Sequence, residues 1–180
     1  MSAALPYLAL VCRGAVVVVF ALSAVSKLRS RAAYARFRRS TRLLTGLPEA
    51  PASALARLVI AGEVTVAVTA SAGPLSSAGL GVAGVLLCGF TWALARSPES
   101  GQALECGCFG SSVSATRRTA IARNVLLLGL VIGGLVSTHA ATGAGSMRWD
   151  TMLVCAVGAV ALAAFITRLH EITSLFTARL

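Results

Sequence analysis

Residues 5–26 read LPYLALVCRGAVVVVFALSAVS. Apart from Arg13, every residue in this run is apolar, small or a hydroxyl carrier. A helix needs about 20 predominantly apolar residues to cross the hydrocarbon core of a bilayer. This run is that long. It shows no period-two alternation, so a barrel strand is a poor reading. In hydrocarbon the backbone polar groups must be paired within the segment itself, and a helix does that. A signal peptide is the competing reading, with Arg13 as its charged region and Val16–Ala24 as its apolar core. The length of the run, and Lys27 closing it like an anchor, favour a retained span.

Four more apolar runs follow: Ala54–Ala72, Ala78–Ala95, Thr119–Ser137 and Thr151–Thr167. The whole chain is 57% hydrophobic and only 12% charged, with a mean hydropathy of +0.83. A soluble domain carries about a quarter charged residues. The expected fold is therefore all-α, an integral membrane helical bundle. Gly79, Gly81, Gly84 and Gly89 in the third run allow close backbone approach between helices. Five cysteines in such a chain do not make a secreted disulfide scaffold.

The net charge of +10 is unevenly placed. Segment 27–57 holds eight of the 16 Lys and Arg, the turn around Pro74 none, segment 96–123 four, the loop before Asp150 one, and the C-terminal tail two. Alternating sides puts 14 of them on one face and 2 on the other. The positive-inside rule then sets the N-terminus outside and the C-terminus in the cytoplasm of a multi-pass cell-membrane protein. Within 27–51, Tyr34, Phe37, Leu43 and Leu44 interleave with arginines. That pattern predicts an interfacial helix, its apolar side chains in lipid and its arginines on phosphates. Membrane lipid thus accounts for the basic charge, and no nucleic-acid partner is expected.

Chemistry is concentrated at Cys106-Gly107-Cys108-Phe109-Gly110, in the polar break after the third run. A disulfide between thiols one residue apart closes a very small, strained ring that is comparatively easy to reduce. Gly107 relieves part of the backbone cost. The pair suits exchange better than stapling. Arg96, Arg117 and Arg118, together with the start of the next helix, favour a thiolate, while Glu105 opposes one. Two small apolar residues at a helix end is the bland alternative. A metal site with His170 as a third ligand is another, although no ligand spacing announces it, and no metal is assigned. Cys12, Cys88 and Cys155 lie inside apolar runs and read as small hydrophobes.

Two charges lie deep in spans, Arg13 in the first and Glu63 in the second. Charges at such depth are costly and are usually paired or functional. The spans run antiparallel, and counting from their ends puts the two at similar depth. An Arg13–Glu63 ion pair is expected, and a proton-relay or quinone-contact role for Glu63 is the sharper alternative. Trp92 and Trp149 read as interfacial anchors, and the Asn124 amide is placed to bond across helices.

These residues resemble the MauE/DoxX family of redox-associated membrane proteins, and the MauE branch in particular. The likeness spans about the first 140 residues. It rests on Ser26-Lys27-Leu28 with Phe37 following, Glu63, the Cys106–Gly110 string, and Arg123-Asn124. The resemblance implies a four-span membrane domain over 1–140, containing the basic segment 27–51; the apolar run Thr151–Thr167 adds a further span and tail in 141–180 that the resemblance does not cover. It further implies support of disulfide formation or isomerisation during maturation of an exported client, as in methylamine dehydrogenase maturation, alongside a thioredoxin-like protein. Cys106 and Cys108 would then be the catalytic pair, with Gly107, Phe109, Gly110, Arg123, Asn124 and Lys27 in support. A thiolate attacks a partner disulfide, a mixed disulfide forms, and the second thiol resolves it. A quinone or a membrane-tethered thioredoxin-like protein is the expected redox partner. A non-catalytic membrane scaffold and a small-molecule or metal transporter using the Arg13/Glu63 interior remain as alternatives.

Overall fold

The computed structural model describes residues 5–72, 75–96, 117–140 and 155–164. Among them there is no strand. The elements are α1 (Leu5–Leu28), α2 (Arg31–Thr45), α3 (Glu49–Ser71), α4 (Ser76–Arg96), α5 (Arg117–Ala140) and a shorter α6 (Cys155–Ala164). Tyr7–Leu28, Glu49–Ser71, Ser76–Arg96 and Ala120–Thr138 are each long and apolar enough to cross a membrane. The protein is thus an all-α, multi-pass membrane protein, as its apolar runs predict. In the expected fifth span, Thr151–Thr167, the described helix is α6. Its ten residues reach about 15 Å, half of a hydrocarbon core. The remainder of that run lies outside the described residues.

Local chemistry sets the helix ends. Ser30 caps α2, its hydroxyl accepting the Ala33 N–H at 3.1 Å. Gly46 ends α2 in the left-handed region at φ 67, donating its N–H to the Arg42 carbonyl at 2.9 Å. A glycine takes that conformation without a Cβ penalty. Pro48 then precedes α3, and Pro51 falls in its first turn, where a missing N–H costs nothing. Inside the spans, the Thr65, Thr69 and Thr91 hydroxyls donate to carbonyls four residues earlier, at 2.9, 2.6 and 2.7 Å. That satisfies them without water.

The four long helices form a ring in the order α1, α3, α4, α5, each packing on its neighbours. Val16, Val19, Phe20, Val66, Leu80, Leu87, Leu127 and Val131 fill its centre. Among the described glycines, Gly79 in the α3–α4 hairpin has the least room for a side chain. A Cβ on Gly79 would stand 2.5 Å from the Ala70 backbone nitrogen and 2.6 Å from Thr69 Oγ1. Gly79→Ala is therefore expected to lower stability by about 1–3 kcal/mol, the usual cost of overpacking. Gly81→Ala, whose Cβ would meet nothing within 4 Å, is expected to be neutral or slightly stabilising through helix propensity. Thermal melts of the two variants in detergent check this pair.

The α2 helix is present where the interleaved arginines predict it, but its aromatic residues do not face lipid. Phe37 is buried against Ala56, Val59 and Ile60 of α3, and Tyr34 packs on the same cluster. Only Leu43 of the expected lipid-facing set is strongly exposed, with Leu44 intermediate. The reason is an axial offset between the helices. The last turn of α1 reaches Glu63, in the middle of α3. The 14 residues of α3 before Glu63 extend about 21 Å further. They give α2 an apolar wall to fold against.

Candidate functional site

At the junction of α1, α2 and α3 three polar side chains are sealed from solvent. Ser23, Lys27 and Glu63 are 1%, 1% and 2% exposed. Ser23 and Lys27 lie four residues apart on α1 and so share one helix face. Lys27 Nζ donates to Ser23 Oγ at 2.8 Å and to Glu63 Oε1. The Ser23 hydroxyl donates to the same carboxylate oxygen at 2.9 Å. Phe37 of α2 closes the site, its ring centroid 4.6 Å from Lys27 Nζ. The face of an aromatic ring attracts a cation, more strongly where water is excluded. Glu63 Oε1 is thus held by two donors. Oε2, equally buried, has no hydrogen-bond partner among the described residues.

This arrangement corrects the expected Arg13–Glu63 pair. The depth count treated α1 and α3 as ending at a common level, and they do not. With the C-terminal turn of α1 level with Glu63, Arg13 stands 14 residues back along α1, about 21 Å away. It is partly exposed there. Its neighbour Cys12 packs by Gly133 and Gly134 of α5. Lys27, expected to act as an interfacial anchor, is instead the buried counter-ion. Sequence reading missed Ser23 altogether. The signal for it was available in the four-residue spacing to Lys27.

A second polar contact lies on α4 and α5. Asn124 Nδ2 reaches Thr91 Oγ1 at 3.4 Å, a long bond across the two helices. Nearer the end, Arg117 donates to the Ala95 carbonyl, and Arg96 stacks 4.5 Å over Trp92. The chain therefore leaves α4 and enters α5 side by side. Segment 97–116 joins these two points. Cys106, Gly107, Cys108, Phe109 and Gly110 belong to it and lie outside the described residues, as does His170. Arg123 is partly buried on the first turns of α5. Of the other thiols, Cys12 and Cys155 are buried and Cys88 faces outward, all three free.

Residues 5–137 match the family model for methylamine utilisation protein MauE. The chain belongs to the MauE family. The matched region takes in α1 to α4 and nearly all of α5, so the buried Ser23–Lys27–Glu63 cluster and the Cys106–Cys108 pair both fall within it. α6 lies beyond it. No curated protein and no solved structure matches the chain. This MauE-family chain is therefore a multi-pass membrane protein of a family named for methylamine utilisation. Among the described residues of the family region, Lys27 and Glu63 form a buried ion pair.

Proposed function

We propose that this chain is an integral membrane thiol–disulfide redox protein that supports maturation of an exported client through Cys106 and Cys108. The observation that carries the reading is the Cys106-Gly107-Cys108 pair, set within the family-matched region between two helix ends that meet at the Arg117–Ala95 bond. The exchange balances simply. One thiolate attacks a partner disulfide, breaking its S–S bond and forming a mixed disulfide. The second thiolate displaces the partner's sulfur, so two electrons and two protons pass from the dithiol to the partner. In reverse, the same pair as a disulfide oxidises a client dithiol. A quinone or a thioredoxin-like protein then takes up the electrons.

In this reading the bundle end holding Arg29, Arg31, Arg36, Arg39 and Arg42 is cytoplasmic and the N-terminus lies outside, because basic loops are retained on the cytoplasmic side. The ends of α4 and α5 that segment 97–116 joins then lie toward the cytoplasm. Cys106→Ser and Cys108→Ser are each expected to reduce client maturation to background. In one of them a mixed disulfide should accumulate, detected by non-reducing electrophoresis. Unchanged maturation in both variants would leave the scaffold reading in its place. Labelling of intact cells with a membrane-impermeant thiol reagent tests the sidedness, and labelling of the pair from outside would reverse it.

A further inference from the structure

One feature of α2 is not explained by its packing on α3. Residues 35, 38, 39 and 42 recur at helical spacing and form one face of the helix. Together with Glu49 and Ala52 in the first turn of α3, they line an open cleft of about 230 Å³. Three guanidinium groups face it and one carboxylate. Arg38 Nη2 pairs with Glu49 Oε1 at 3.3 Å. Arg39 and Arg42 make no ion pair with any described residue. The cleft therefore carries a surplus of two positive charges. The N-terminus of α3 adds to it, since Pro48 supplies no side-chain cap and a helix start carries the positive end of the dipole.

We infer that this cleft binds the phosphate of an anionic phospholipid. Arginine offers paired N–H donors in a planar fork that matches phosphate oxygens, and three of them around one cleft favour a phosphate over a chloride or a single carboxylate. A lipid is the source, in preference to a soluble anion, for two reasons. The chain crosses a membrane, and the cleft lies where α2 hands over to α3, at the end of the bundle beyond the C-terminus of α1. Apolar side chains also adjoin the arginines: Leu43 follows Arg42 directly, Leu47 follows Gly46, and both are exposed. Arginines on the headgroup with leucines against the acyl chain is the division of labour of an interfacial helix. This site is independent of the thiol chemistry proposed above.

The test uses the full chain in neutral detergent. Bound phospholipid is counted by native mass spectrometry during titration with phosphatidylglycerol or phosphatidylcholine. Phosphatidylglycerol is expected to bind at one copy in clear preference to phosphatidylcholine. R39Q/R42Q is expected to weaken that binding roughly 30-fold, from the usual contribution of two arginines near an anionic lipid surface. The charge-matched variant R36Q/R118Q, altered at exposed positions outside the cleft, should stay within about threefold of wild type. Equal binding of the two lipids would overturn the inference, as would an equal loss in R36Q/R118Q. Displacement of phosphatidylglycerol by equimolar inorganic phosphate would show a site for a soluble anion instead.

Discussion

Glu63→Leu is expected to lower the stability of the purified chain by about 3–5 kcal/mol, the usual cost of stranding one member of a buried ion pair. Lys27 is sealed on all sides, so its ammonium cannot swing out to water when the carboxylate is gone. Ser23 Oγ and the Phe37 ring remain as partners, and they are too weak to replace a full charge. Lys27→Met strands the carboxylate in turn, leaving the Ser23 hydroxyl as its one remaining donor among the described residues. The informative variant is the double one. K27M/E63L removes both charges together and should recover to within about 2 kcal/mol of wild type, because a buried pair often contributes little over well-packed apolar residues. Chemical denaturation of the four proteins in one detergent gives the coupling energy directly. Additive losses in the double variant would show that the two groups do not act as a pair.

Phe37→Ala is expected to cost a similar amount, about 3–5 kcal/mol. The ring is 2% exposed and forms the centre of the cluster with Ala56, Val59 and Ile60. Its removal opens a cavity between α2 and α3, and it uncovers Lys27 Nζ. Phe37→Leu separates the two effects. Leucine refills most of the volume but offers no π face, so the remaining loss of about 1–2 kcal/mol measures the cation–π contact. In the K27M background Phe37→Leu should cost distinctly less than in wild type. Proteolysis at the α2–α3 connection offers a second readout, since α2 held only by its caps should detach.

The spans α1, α3, α4 and α5 and the basic helix α2 were legible from composition alone. Lipid demands long apolar runs with internally paired backbones, and that demand is written along the chain without reference to any partner. Ser30 and Gly46, which the structure shows capping α2, are local signals of the same kind. The candidate site was legible only in part. Glu63 stood out because a charge at mid-span needs a partner wherever the neighbouring helix lies. Its partner could not be read in the same way. Choosing between Arg13 and Lys27 requires the axial offset of α1 against α3, the same offset that leaves the first half of α3 free to receive α2 through Phe37. Tyr34 and Phe37 showed the same gap. An amphipathic pattern says which side chains share a face, and it does not say whether lipid or protein covers it.

The sequence by itself determined the membrane class, the number and position of the family's apolar helices, and the Cys106–Cys108 pair, because each depends on residue type at short range. Tertiary structure alone decided that Lys27 lies over Phe37 against Glu63, and that three arginines of α2 share a cleft with the start of α3. Those facts depend on how far one helix slides along another. That slide is set by the packing of side chains distant in sequence, and no local rule encodes it.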